Sequence, residues 1–127
     1  DTFTASLGRL QSDDALDGAG GADVLNARLG ATVTSVIANI ETLNIEATSA
    51  ASLDGANITG ATNVNVTGGA TLTYLAQDAE AFSVAGAGTG LTVTRSATDT
   101  TTDAITVTLK DGKAGTVSLG DAGNGAD

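Results

Sequence analysis

The chain has 127 residues and a formal charge of −10 at pH 7, and it contains no Cys, His, Pro, Met or Trp. The lack of cysteine excludes disulfides and thiolate metal sites, and the lack of histidine removes the commonest general base and transition-metal ligand. The negative charge opposes binding to a nucleic-acid backbone, and no apolar run approaches the ~20 residues of a membrane span. We therefore expect one domain that is not an enzyme, binds no nucleic acid and has no membrane span.

Short β-strands are the predicted elements throughout. Hydrophobic residues make up 41% of the chain, and Val, Ile, Leu and Thr recur at every second position in several segments. Such alternation of β-branched residues is typical of strands with one buried face, here around a narrow core. In chain order, the predicted strands cover residues 2–4, 42–45, 63–66, 81–84, 91–94, 104–109 and 116–119. Residues 12–16 and 33–40 are the only helical candidates, and 35–40 fits a strand equally well.

Three of these strands repeat at a nearly constant spacing. Leu43 lies 21 positions before Val64, which lies 18 positions before Phe82. A second repeat aligns Leu53 with Leu72, 19 positions later. Short strands repeating at this spacing are typical of a solenoid, in which each coil buries its apolar face against its neighbours. The sequence therefore predicts an all-β fold, a parallel β-solenoid of the β-helix or β-roll kind.

The second half of the chain also fits a different architecture. The residues between strands 104–109 and 116–119 include Asp111-Gly112, a favoured dipeptide of tight hairpins. A hairpin there would make this half antiparallel. A β-sandwich of short strands is therefore the alternative fold.

The sequence also predicts where several polar and aromatic side chains beside the strands lie. Three asparagines could stack into an amide ladder along a solenoid, namely Asn44, Asn63 and Asn65. The single tyrosine, Tyr74, is expected at the edge of the core with its hydroxyl group in water. We expect Arg28 and Arg95 to pair with carboxylates at the surface.

Candidates for catalysis are few. A serine beside Lys110 or Lys113 has no histidine to assist it. The carboxylate pairs Asp13–Asp14 and Asp99–Asp103 could in principle cleave a glycosidic bond. The chain lacks the aromatic residues on which a polysaccharide would stack, so we expect no enzymatic activity.

A glycine-rich segment is the most distinctive motif. Residues 18–26 read GAGGADVLN and resemble the nonapeptide G-G-x-G-x-D-x-U-x of the RTX family. Gly18, Gly21, Asp23 and Leu25 stand at matching positions, and Ala19 replaces the second glycine of the family pattern.

A partial copy of the motif closes the chain. Residues 122–127 match the pattern at Gly123, Gly125 and Asp127. If Asp127 is overlaid on Asp1, Phe3 takes the apolar position of the motif, so the chain begins and ends at equivalent points. We therefore expect one unit of a tandem array. It divides into a glycine- and aspartate-rich, calcium-binding-like segment (1–30), a β-repeat body (31–120) and the start of a motif leading to the next unit (121–127).

The RTX resemblance implies Ca²⁺ as the cofactor, held by carbonyl oxygens at glycine corners and by acidic side chains. The candidate ligands of one site are Asp14, Asp17, Asp23 and the backbone of Gly18, Gly20 and Ala22. The candidate ligands of a second site, at the junction of units, are Asp121, Asn124 and Asp127 with Asp1 of the following unit. The alternative is that these are ordinary turns whose aspartates cap nearby backbone N–H groups.

The chain as a whole is similar in texture to the repeat regions of bacterial surface-layer proteins and large RTX adhesins. This resemblance implies a secreted structural unit at the bacterial cell surface. Such a unit is stabilised by calcium and assembles with copies of itself or with neighbouring repeats into a layer, filament or stalk. The alternative function is an adhesin module with a β-sandwich fold that recognises a surface glycan or a protein.

Overall fold

A computed structural model describes residues 1–76, 81–95, 105–111 and 116–121, in which short strands follow one another through tight turns. The strands stack into three sheets, and every strand pair in these ranges is parallel. Parallel neighbours come from successive passes of the chain around one axis, so the fold is a β-solenoid. The predicted parallel β-solenoid is confirmed, and the β-sandwich alternative does not form.

Each sheet collects one strand from successive coils. The first sheet contains, in spatial order, β1 (Thr2–Ala5), β3 (Val24–Leu29), β6 (Thr42–Ala47), β9 (Asn63–Thr67), β11 (Ala81–Val84) and β13 (Thr106–Leu109). The second sheet contains β4 (Thr32–Val33), β7 (Ala51–Asp54), β10 (Thr71–Ala76), β12 (Gly90–Arg95) and β14 (Val117–Asp121). The third sheet contains β2 (Ala15–Asp17), β5 (Val36–Ala38) and β8 (Ile58–Thr59). One turn of 3₁₀-helix, Gly55–Asn57, precedes β8.

The register of the first sheet follows the repeat read from the sequence. Leu43 lies opposite Val64, and Val64 lies opposite Phe82. In the second sheet, however, Leu53 lies opposite Tyr74 rather than Leu72. The predicted alignment of Leu53 with Leu72 is therefore wrong by two residues, a shift that keeps the same face of the strand inside.

Alternate residues of each strand point into a narrow core, because side chains in a strand alternate between its two faces. One inward column of the first sheet contains Phe3, Leu25, Leu43, Val64, Phe82 and Val107. Tyr74 of the second sheet meets Phe82 edge to face, with ring centroids 5.3 Å apart. Tyr74 is 0% exposed, so its predicted position at the water-exposed edge of the core is wrong.

Two further expectations fail. The second half is not antiparallel, because β13 pairs with β11 in the first sheet and β14 pairs with β12 in the second. The proposed hairpin strands thus lie in different sheets, and residues 112–113 of the proposed turn lie outside the described residues. Residues 12–16 form a turn and the start of β2 rather than a helix, and for residues 35–40 the strand alternative is confirmed by β5. In the described ranges, no helix is long and apolar enough to cross a bilayer.

Candidate functional site

The glycine-rich motif forms the corner between the third and first sheets. Strand β2 ends at Asp17, and β3 begins at Val24. The Gly18 N–H continues the parallel pairing by donating to the Ala38 carbonyl oxygen at 2.9 Å. A Cβ atom on Gly18 would overlap the Asn39 carbonyl oxygen and would lie 2.8 Å from both Cγ and Oδ2 of Asp23. Only glycine lets the Asp23 carboxylate approach the backbone this closely.

The Asp23 carboxylate is the buried charge of this corner, with the residue 1% exposed. The amino group of Asp1 donates to its Oδ1 atom. Its Oδ2 atom is buried and has no hydrogen-bond partner among the described residues. Burying a carboxylate oxygen without a partner costs stability, so Oδ2 is an acceptor that a hard cation or a donor would satisfy.

Acidic residues occupy the same corner in successive coils. Asp1, Asp23 and Glu41 each precede the paired first-sheet residues Thr2, Val24 and Thr42. The Asp23 N–H donates to Glu41 Oε2 at 2.7 Å, so the carboxylate of one coil caps the backbone of the coil before it. Sequence analysis missed Glu41, although the 18-residue spacing from Asp23 to Glu41 in the sequence was a usable signal.

The other predicted calcium ligands form local turns. Asp14 Oδ2 accepts the Gln11 N–H at 2.8 Å. Asp17 Oδ1 accepts the Asn39 side-chain amide and the Ala19 N–H, both at 2.8 Å. These bonds, the one from Asn39 foremost, hold the pKa of Asp17 below its ordinary value of 3.8. Asp14 therefore caps its own turn, and Asp17 caps its turn and also binds the side chain of Asn39 in the next coil.

The predicted ligands do not converge into one acidic cluster. Within the described ranges, no three His, Cys, Asp or Glu side chains form a group that could hold a metal ion. Gly20 and Ala22 are exposed on the loop above Asp23. Of the second predicted site, Asn124, Asp127 and the side chain of Asp121 lie outside the described residues.

Ala19 has a backbone conformation that L-residues rarely adopt, with φ at +63°. It stands where the RTX pattern has its second glycine. The turn therefore keeps the left-handed geometry that glycine would allow without strain. Gly21 of the same motif is also left-handed, with φ at +129°.

An amide ladder runs along the outward face of the first sheet. The Asn44 amide donates to Asn26 Oδ1 and the Asn65 amide donates to Asn44 Oδ1, both at 2.8 Å. Ser83 Oγ extends the row by donating to Asn65 Oδ1 at 2.5 Å. The ladder prediction is confirmed for Asn44 and Asn65. It is wrong for Asn63, whose amide donates to Thr62 Oγ1, and it omitted Asn26.

A shallow depression of about 370 Å³ follows this ladder. It is lined by the three ladder asparagines, by hydroxyl-bearing side chains such as Thr67, and by the Arg28–Glu46 ion pair, in which Nε lies 2.9 Å from Oε2. The surface pairing predicted for Arg28 is thus confirmed, while the side chain of Arg95 lies outside the described residues.

Three of the catalytic candidates lie within the described residues. Asp13 is exposed, and Asp14 is bound to its own turn. Lys110 is exposed at the end of β13. The remaining candidates, Asp99, Asp103 and Lys113, lie outside the described residues.

Comparison of the chain with protein-family models, with curated proteins and with solved structures gives no match.

Proposed function

We propose that this chain is a structural repeat unit of a secreted bacterial surface protein, which calcium stabilises and which assembles into a layer, filament or stalk. The observation that carries the proposal is the unbroken first sheet, six parallel strands deep, with an apolar column inside and a bonded amide row outside. The amide row and the Arg28–Glu46 ion pair join successive coils, as expected of a rod built from stacked repeats.

The Asp23 corner supports the calcium part of the proposal. Asp23 Oδ2 is a buried carboxylate oxygen to which no described residue donates, and hard cations take carboxylate and carbonyl oxygens. Asp23 and the loop carbonyls of Gly18, Gly20 and Ala22 would hold the ion. A bound Ca²⁺ supplies positive charge opposite the buried carboxylate. With external calcium of order 1 mM and a Kd of order 0.1 mM, one site adds ~1.4 kcal/mol of stability.

The net charge of the chain also favours stabilisation by calcium. Fifteen acidic residues against five basic ones leave a formal charge of −10, and self-repulsion of this kind weakens a compact state. A divalent cation relieves that repulsion where calcium is abundant, outside the cell. The proposal therefore couples the folding of the unit to its arrival at the bacterial surface.

Thermal unfolding in calcium, in magnesium and with a chelator tests this proposal. We expect calcium to raise the Tm by about 5 °C, since ~1.4 kcal/mol corresponds to that shift in a domain of this size. Asp23→Asn keeps the shape of the side chain and should abolish the calcium response. Asp13→Asn is the matched control, because it removes the same charge from an exposed residue of the same segment. Identical curves under all three conditions would refute the calcium part of the proposal.

Recognition of a surface glycan is a second candidate function, favoured by the depression along the amide ladder. Its amide, hydroxyl and charged side chains suit a sugar, whereas its lining contains no aromatic residue on which a sugar could stack. A glycan array separates the two functions. Saturable binding to one glycan class would favour recognition, and calcium-dependent polymers without glycan binding would favour the structural role.

A further inference from the structure

The depression beside the amide ladder runs along the solenoid axis rather than along one strand. One wall is the outward column that contains Thr4, Asn26, Asn44 and Asn65. The other wall lies two residues further along the chain in each coil and contains Ser6, Arg28, Glu46 and Thr67. Neighbouring strands are ~4.8 Å apart and alternate residues of one strand are ~7 Å apart, so the depression is about 14 Å long and as wide as one extended polymer chain.

The depression is electrically neutral, although the molecule is strongly acidic. Its two charged side chains are Arg28 and Glu46, which neutralise each other in an ion pair. The whole chain carries a formal charge of −10. An acidic polymer would therefore be repelled by the molecule and would find no unpaired cation among the described lining residues, whereas a basic polymer would pair with the acidic residues elsewhere. The charge distribution thus favours an uncharged polymer in the depression.

Hydrogen-bonding groups repeat along the depression from coil to coil. A side-chain amide has two N–H donors and an oxygen that accepts two hydrogen bonds, and the ladder uses one of each at Asn44 and at Asn65. Each of these amides therefore keeps one donor and one acceptor position, and a sugar hydroxyl can bind both because it donates and accepts. An extended peptide advances ~3.3 Å per residue and does not keep step with coils ~4.8 Å apart. The sugar residues of an extended β-linked glycan follow one another at close to the coil spacing.

The ladder also fixes these amides before any ligand binds. Each ladder bond is 2.8 Å long and joins one coil to the next, so binding does not have to order the side chains. The lining contains no aromatic residue, and a sugar bound without stacking contributes little affinity. Affinity in this depression must therefore accumulate over several sugar residues.

We propose that the depression binds a neutral, β-linked, linear glycan that lies parallel to the solenoid axis. About one sugar residue lies beside each coil, so about four residues fill the length of the depression. This inference rests on glycan recognition, the second function proposed above, and names the class of glycan, its direction and its length.

Calorimetric titration of the 127-residue chain in calcium tests the length and the charge of the ligand. The probes are β-1,4-linked oligosaccharides of glucose, of mannose and of N-acetylglucosamine, each with two, four and six residues. The best-bound tetrasaccharide should bind about tenfold or more tighter than its disaccharide, and the hexasaccharide should gain less than about threefold more. Tetramannuronate, which differs from mannotetraose by its carboxylates, should bind about tenfold or more weaker. Maltotetraose, whose α-linked chain is curved, should bind about tenfold or more weaker than cellotetraose.

Substitutions in the walls test the position of the ligand. Thr4→Val and Thr67→Val each remove one exposed hydroxyl group at opposite ends of the depression, and each should weaken tetrasaccharide binding by about threefold or more. Thr73→Val is the matched control, because Thr73 is an exposed threonine on the outward face of the second sheet, and it should bind as the unchanged chain does. Glu46→Gln leaves Arg28 without its ion-pair partner, so it should narrow the preference for mannotetraose over tetramannuronate by about fivefold or more.

The outcomes separate this inference from the proposed functions. Binding that is independent of length, that favours tetramannuronate or maltotetraose, or that both wall variants leave unchanged overturns the inference and leaves glycan recognition standing. No binding to these probes or to a glycan array refutes glycan recognition as well, whereas the calcium response in thermal unfolding tests the structural unit separately. If Thr4→Val and Thr67→Val abolish assembly of the chain in sedimentation without changing glycan binding, the face is a contact between copies and the inference is wrong. Circular dichroism of each variant confirms that a loss of binding does not reflect unfolding.

Discussion

Replacing Gly18 by alanine should destabilise the solenoid more than any other single-methyl addition in the glycine-rich motif. The added Cβ would overlap the Asn39 carbonyl oxygen of the next coil and crowd the buried Asp23 carboxylate from 2.8 Å. Ordinary carbon–oxygen contacts need more than 3 Å, so the two coils must separate locally by about 1 Å.

The loss of stability follows from the backbone hydrogen bond that this separation breaks. The Gly18 N–H lies 2.9 Å from the Ala38 carbonyl oxygen, and a 1 Å displacement takes this bond beyond hydrogen-bond range. Overpacking costs typically 1–3 kcal/mol, and a lost backbone hydrogen bond adds about 1 kcal/mol. We therefore expect Gly18→Ala to lower the free energy of unfolding by about 3 kcal/mol. In a chain of this length that corresponds to a fall in Tm of about 10 °C.

Gly20→Ala provides the matched control two residues away. Gly20 is exposed, has no left-handed φ, and a Cβ there would meet no atom within 4 Å. Alanine at this position should leave stability unchanged or raise it by about 0.5 kcal/mol, because it restricts the unfolded chain. Urea unfolding in a chelator measures both variants without any contribution from calcium. Equal stability of Gly18→Ala and Gly20→Ala would refute the close approach of the corner to the next coil.

Three further perturbations have definite expected outcomes. Ala19→Gly should raise the free energy of unfolding by up to ~1 kcal/mol, because it relieves a left-handed alanine at φ +63° while making the unfolded chain more flexible; a lower Tm would contradict this. Because its bonded carboxylate has a lowered pKa, Asp17 contributes stability that is complete above its ordinary pKa of 3.8 and is lost as pH falls through the lowered value. Urea titrations should therefore show a steeper loss of stability below about pH 4 for the unchanged chain than for Asp17→Asn, and equal slopes would contradict this role of the Asp17 carboxylate. Asn44→Ala breaks two ladder bonds and should cost about 2 kcal/mol in urea unfolding, whereas Asn63→Ala, outside the ladder, should change stability by less than about 0.5 kcal/mol. Similar losses in both asparagine variants would show that the ladder contributes nothing.

Only part of the candidate site could be predicted from the sequence. The motif identified Asp23 and Gly18, because a glycine turn followed by an acidic and then an apolar residue is a local pattern. Glu41 was not predicted as part of the site, because its proximity to Asp23 depends on which coil stacks against the coil that contains Asp23. Asp14 and Asp17 have the right chemistry for calcium, yet Asp14 faces a donor of its own turn and Asp17 faces both a turn donor and the Asn39 amide of the next coil, an orientation that spacing alone does not reveal.

Local alternation and the repeat spacing determined the all-β class, the coil length and the register of Leu43, Val64 and Phe82, because these depend only on which residues recur. The tertiary structure decided the register of the second sheet and the direction of the strands, which alternation does not fix. A shift of two residues keeps the same side chains inside, so only packing against Phe82 placed Tyr74, rather than Leu72, opposite Leu53. Strand direction was likewise undetermined, since an alternating segment reads the same in a hairpin as in a coil. The direction of these strands follows from the sheets that they join, since β13 pairs in parallel with β11 and β14 pairs in parallel with β12.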